Sequence, residues 1–161
     1  ELVNEYIYLR GVMMECKRVK KDFKVVAMKN RGAFANYGSE VPKLAQQFMS
    51  RAGEIQNHSK TEIALYEPKR DENHLEGYYY VGMVVYDALN EVPSGMEYIE
   101  ISQEYVTTRG RINDVGDLHL QLNKWSDENG YQKNLGSYII ETYHPIENDI
   151  EEVEIYIPIH S

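Results

Sequence analysis

The residues best suited to chemistry lie in one stretch, Leu135-Gly-Ser-Tyr-Ile-Ile-Glu-Thr-Tyr-His-Pro145. Its pattern is that of a β-strand running into a turn, yet it carries an acid, Glu141, among Ile139, Ile140 and Tyr143. Such a carboxylate is either solvated on an open sheet face or the floor of a pocket. In a pocket its burial costs several kcal/mol unless it is paired or hydrogen-bonded. Tyrosine hydroxyls can donate to it, and a bound cation would offset the remainder. Aromatic walls would add about 0.5–2 kcal/mol per cation–π contact. Tyr37, Tyr66, Tyr80, Tyr105, Trp125 and Tyr143 are the wall candidates, with Ile139 as an apolar neighbour of the acid. Trp125 ends a helical apolar stripe and fits the core equally well. The same dry pocket would raise the pKa of Glu141 and make it a general base toward water, so a binding role and a hydrolytic role both stand.

Other chemistries find little support. His58, His74, His119, His144 and His160 are scattered rather than spaced for a metal. His119 and His144 lie nearest the candidate elements, but a lone histidine is more often structural. There is no Ser-His-Asp arrangement and no phosphate loop, so neither a cofactor nor a metal is expected. The net charge of −9 argues against a nucleic-acid partner, because such affinity rests largely on Lys and Arg neutralising phosphates. The basic cluster Lys17-Arg18, Lys20-Lys21 and Lys24 is short and falls in a strand-like region. A single cysteine, Cys16, allows no intrachain disulfide and suits a cytoplasmic setting. No apolar run approaches the ~18–20 residues of a membrane span. The 14 tyrosines against 3 phenylalanines suit a half-wet cavity, or simply strand preference. The chain opens at Glu1 rather than Met, which leaves room for a preceding segment.

The elements that would position these residues follow from periodicity. Residues 1–11 are expected to be a tail and residues 12–161 a single domain. Strands are expected over residues 12–19, 23–28, 61–66 and 77–85, then over 97–101, 104–108, 137–143 and 152–159. Gly82 within the fourth marks a bulge or a close backbone approach. Val41, Leu44, Ala45, Phe48, Met49 and Ala52 form one helical stripe, with Ser39 as N-cap, Pro42 in the first turn and Gly53 as stop. Val115, Leu118, Leu122 and Trp125 form a second, stopped by Gly130.

The series repeats. Arg31-Gly32 and Arg109-Gly110 lie 78 apart, whereas Val41 and Leu118, Phe48 and Trp125, Gly53 and Gly130, and Tyr66 and Tyr143 lie 77 apart. A deletion between the Arg-Gly turn and the helix would account for the change. Each unit, about residues 12–86 and 96–160, reads strand-strand-helix-strand-strand. The expected fold is α+β: two such modules related by a pseudo-two-fold, an antiparallel sheet with two helices, and a ligand pocket between the halves. At offset 77 Glu141 corresponds to Ala64, so the scaffold does not require the acid. If Ile63 and Leu65 form the helix-covered face, Glu141 points away from the helices.

These features resemble the GyrI-like family, the AraC-type effector-binding domain. The resemblance rests on residues 23–32 as the opening strand and turn, and on Trp125 followed by Gly130-Tyr131. It rests also on Glu141-Thr-Tyr143 and on Glu154-Ile-Tyr-Ile-Pro158-Ile159. It covers roughly residues 12–159. It implies a concave pocket with Glu141 as its glutamate, and a small, often cationic, amphipathic or aromatic ligand. It implies either the sensing part of a bacterial transcription regulator or a standalone drug- or toxin-binding protein. Some members protect gyrase through a protein partner, and some hydrolyse reactive small molecules. A homodimer is compatible with either. The chain departs from the family pattern after each Arg-Gly turn, at Ala33-Phe34-Ala35-Asn36-Tyr37 and at Arg111-Ile112-Asn113, and it shows no helix-turn-helix segment.

Overall fold

The computed structural model describes residues 5–9 and 11–161. Strand β1 (Glu5–Leu9) pairs antiparallel with the start of β2 (Val12–Ala33). This strand falls within the stretch expected to be a tail; residues 1–4 and 10 lie outside the described residues. Helix α1 (Tyr37–Met49), β3 (His58–Tyr66) and β4 (Glu76–Val85) complete the first unit. Strand β5 (Glu97–Arg111), α2 (Val115–Glu128), β6 (Ile139–Pro145) and β7 (Glu151–Ile159) form the second.

Where two short strands are expected at the start of each unit, one long strand forms. The mostly charged stretch 17–24 does not break β2, because each of its residues pairs with β5 in a register unbroken from Lys17↔Thr107 to Ala27↔Glu97. Arg18 donates to Glu104 at 2.6 Å and Ser102 to Asp22 at 2.5 Å across this ladder. The far end of β2 pairs with β4, from Val25↔Val84 to Ala33↔Glu76. The order β2-β4-β3-β6-β7-β5 then returns to β2, so each of these six strands has a partner on both sides. Closure leaves these strands no free edge.

Closure also explains one reversed expectation. Ile63, Leu65, Ile140, Phe23, Val25, Tyr80, Tyr105 and Tyr156 come from all six strands and pack on one another across the ring, with no helix among them. Phe23 meets Tyr105 and Tyr156 edge to face. The helices cover the other face: Val41, Leu44 and Phe48 of α1 pack on Val26, Ala64, Tyr79, Val81 and Met83. Leu118, Leu122 and Trp125 of α2 pack on Val106, Val153, Ile155 and Ile157. Glu141 therefore faces the helices, not away from them. Both faces of these strands are buried, so an apolar Ile63 and Leu65 could not by themselves mark the helix side.

The pseudo-two-fold is visible in the register. Ala64 lies directly opposite Glu141, and Phe23 opposite Ile101, so the axis passes between β3 and β6 and between β2 and β5. The offset changes later than expected. Helix starts at Tyr37 and Val115 are 78 apart, and Glu40 covers Gly32 as Leu118 covers Gly110, again 78 apart. The shift to 77 thus follows the helix N-termini, and His119 corresponds to Val41.

Local details differ as well. Helix α1 begins before Ser39, whose hydroxyl donates to the Asn36 carbonyl at 3.1 Å. Pro42 is its sixth residue and has no N–H for the Gly38 carbonyl. The helix ends at Met49, and Gly53 lies in a following 3-10 turn, Ala52–Glu54. Gly130, at φ 75°, does stand just past α2, as expected of a left-handed C-terminal position. Among the described residues no helix is long and apolar enough to cross a membrane.

Gly82 sits opposite Ala27, and a Cβ there would collide with the Val26 carbonyl and lie 2.8 Å from Ala27 Cα. Gly82→Ala should cost about 1–3 kcal/mol of stability, read as a lowered urea midpoint. Gly53→Ala, with open space around it, should stay within about 0.5 kcal/mol of the parent.

Candidate functional site

Glu141 is 8% exposed, on β6 beside the pseudo-two-fold axis. Strand alternation puts Ile139, Glu141 and Tyr143 on the helix-bearing face, and Ala64 across the ladder is too small to cover the carboxylate. Tyr66 and Tyr143, equivalent in the two repeats, converge on it. Tyr143 donates to Oε1 at 2.6 Å and Tyr66 to the same oxygen at 3.0 Å, while the two hydroxyls lie 3.1 Å apart. The other oxygen, Oε2, lies 2.5 Å from Nε2 of His119 on α2. An ionised carboxylate only accepts, so this imidazole nitrogen carries the proton and Nδ1 is left to the other side of the ring.

Burial alone would raise the pKa of Glu141. The hydrogen bonds from His119, Tyr143 and Tyr66 outweigh it and hold the carboxyl below its ordinary value of 4.5. Burial and the adjacent carboxylate push both Tyr66 and Tyr143 upward, so both stay protonated donors. Tyr37 stacks on Tyr66 with centroids 5.8 Å apart and donates to the Tyr78 carbonyl at 3.2 Å. Burial, helped by Glu67, pushes its pKa up to about 12.

Beside this cluster lies a cleft of about 410 Å³ between α1 and the start of α2. Val41, Ala45 and Phe48 form one wall, Ala64 and Val81 the base, and Ile112 and Val115 the far side. Glu141, Tyr66, Tyr143 and Tyr37 reach it. A second depression, of about 330 Å³, reaches the same Glu141 from the side of His119, Ile139, Phe34 and Lys69. The acid thus stands between two openings.

Of the residues singled out from the sequence, Glu141, Tyr143, Tyr66 and Tyr37 come together at the cleft, and Ile139 lines the second depression. Tyr80, Tyr105 and Trp125 do not join them. Tyr80 and Tyr105 point into the ring interior, because their parity is that of Ile63 and Val25. Trp125 is 1% exposed in the core beneath α2. His119 is the partner that a reading of histidines one at a time passes over. Its signal was its place beside Leu118, at the margin of the apolar stripe and within reach of the sheet face. Among the described residues no group of three or more His, Cys, Asp or Glu could hold a metal ion.

The chain belongs to the GyrI-like small molecule binding domain family, which matches over residues 17–160. No curated protein matches it. Solved structures share the fold at low identity. One is SAV2435 bound to tetraphenylphosphonium (12% identity, TM-score 0.66, covering 98% of this chain and 94% of that one). Another is EcmrR in a DNA complex (16%, TM-score 0.64, 92% of this chain). The chain spans 58% of the length of that EcmrR chain. A hydrolase from Listeria innocua is also similar (12%, TM-score 0.55, 90% of this chain and 91% of that one).

Because the folded pKa of Glu141 is depressed, its contribution to stability is present above its unfolded value and lost as pH falls through the folded one. The stability difference between the parent and Glu141→Gln should therefore be largest near neutral pH and shrink as pH falls below about 4.5. Urea midpoints for both proteins, measured from pH 7 downward, check this; a gap that widens on acidification contradicts it. Tyr143→Phe should cost about 1.5–3 kcal/mol, the worth of a hydrogen bond to a charged group.

Proposed function

We propose that this domain binds a cationic, amphipathic or aromatic small molecule in the cleft beside Glu141. The observation that carries the reading is a stabilised, almost fully buried carboxylate, held by two tyrosines at the edge of an otherwise largely apolar cavity. A cation placed there gains attraction in a low-dielectric setting without having to ionise the acid first. Tyr37, Tyr66 and Tyr143 offer ring surface to the ligand's apolar part. The bound tetraphenylphosphonium of SAV2435 and the DNA-bound state of EcmrR support a sensing role, in which this domain reports a ligand to a transcription regulator. A standalone ligand-sequestering protein would use the same chemistry.

A second reading, hydrolysis, is favoured by the His119–Glu141 contact and by the Listeria hydrolase of the same fold. In it Glu141 would activate water. The three donors that depress its pKa weaken it as a base, so binding is the better-supported role.

Isothermal titration with tetraphenylphosphonium and with neutral triphenylphosphine oxide tests the reading. Glu141→Gln should weaken the cation by about tenfold, the equivalent of 1.4 kcal/mol, and leave the neutral compound within about twofold. Equal loss for both, or no loss, contradicts a counter-ion role.

A further inference from the structure

The cleft holds more acid than one cation requires. Its lining includes three carboxylates, Glu141, Glu62 and Glu151, and no Lys, Arg or His. The two additional acids, Glu62 on β3 and Glu151 on β7, flank β6, the strand that carries Glu141. Glu62 lies on β3 directly opposite Tyr143, one strand-face step from the Ala64↔Glu141 pair, and Glu151 lies opposite Pro145 beyond it. Glu62 is diagonal to Glu141 in the ladder, a backbone separation of about 7–8 Å.

The two groups of acids also differ in how they are satisfied. Glu141 has three donors. Glu62 and Glu151 are both half-buried and have no hydrogen-bond or ion-pair partner among the described residues. Burial, and then the neighbouring Glu151, raise the pKa of Glu62. Glu62 and Glu151 therefore repel each other at the lining of the cleft and neutralise no protein cation. The repeat shows that Glu62, like Glu141, is not a scaffold requirement. At offset 77 Glu62 corresponds to Ile139, as Glu141 corresponds to Ala64. Each half places an acid where its twin carries an apolar residue, and both acids open onto one cavity.

We propose that the ligand of this cleft is an elongated dication. One positive end lies at Glu141 with Tyr66 and Tyr143, the other between Glu62 and Glu151, and an apolar middle rests on Val41, Ala45 and Val81. This rests on the cation-binding reading of the cleft and specifies the ligand class. A second cationic end between Glu62 and Glu151 relieves their mutual repulsion, a gain no monocation at Glu141 can draw on.

The test compares hexamethonium, with a trimethylammonium at each end of a six-carbon chain, with hexyltrimethylammonium, which has one. Affinities for both are measured by isothermal titration at fixed ionic strength. The parent should prefer the dication on the order of tenfold, well above the about twofold statistical advantage of a symmetric ligand with two equivalent ends. Glu62→Gln/Glu151→Gln should bring that ratio down to about two, and Glu151→Gln alone should bring it part of the way. A parent ratio of about two, or a ratio that survives the double substitution, overturns the dication proposal while leaving monocation binding at Glu141 in place. Failure of both compounds to bind the parent overturns the cation-binding reading as well.

Discussion

A carboxylate that is 8% exposed must be neutralised by what surrounds it, and the architecture around Glu141 is arranged to do so. Tyr66 and Tyr143 reach one oxygen from strands related by the pseudo-two-fold, and His119 reaches the other from α2. The three donors come from both halves of the chain, so the acid is satisfied only when the duplicated units are correctly paired through β3 and β6. The closed ring supplies that pairing, and its interior of Phe23, Ile63, Leu65, Tyr105, Ile140 and Tyr156 holds the strands in register.

Symmetry provides the frame, and departures from it provide the site. The two tyrosines obey the two-fold, but the acid and the imidazole do not: their counterparts are Ala64 and Val41. The second unit therefore fills its half of the axis with a polar pair, while the first leaves small or apolar side chains and the open volume between α1 and the sheet. At the axis itself one half supplies charge and the other supplies space. A perfectly symmetric pair of units would have either two facing acids at van der Waals distance, which repel, or two alanines and no charge.

Much of this was legible in the sequence, for physical reasons. The duplication, the two helix stripes, most strand positions and the oddity of Glu141 all follow from spacing. Tyr66 and Tyr143 were legible as site residues because they share an offset with Glu141 and Ala64. The face of Glu141 was not, because ring closure buries both faces of β3 and β6 and removes the polar-apolar alternation that would reveal the helix side. The same closure hides Tyr80 and Tyr105, whose hydroxyls suggested a wet wall but whose parity turns them inward. The long strand β2 was obscured by the charges within residues 17–24, whose ladder to β5 spans far too many residues to be read locally. His119 could be placed only once α2 was docked on the sheet.

The most direct measurement is a crystal structure with tetraphenylarsonium, whose arsenic can be located by anomalous scattering. An arsenic atom is expected inside the cleft bounded by α1, β3 and β6, beside Glu141, with phenyl rings against Tyr37, Tyr66 or Tyr143 and the positive centre about 6 Å or less from an aromatic face. An arsenic site outside this cleft, or one that persists unchanged in crystals of Glu141→Gln at the same concentration, would contradict it.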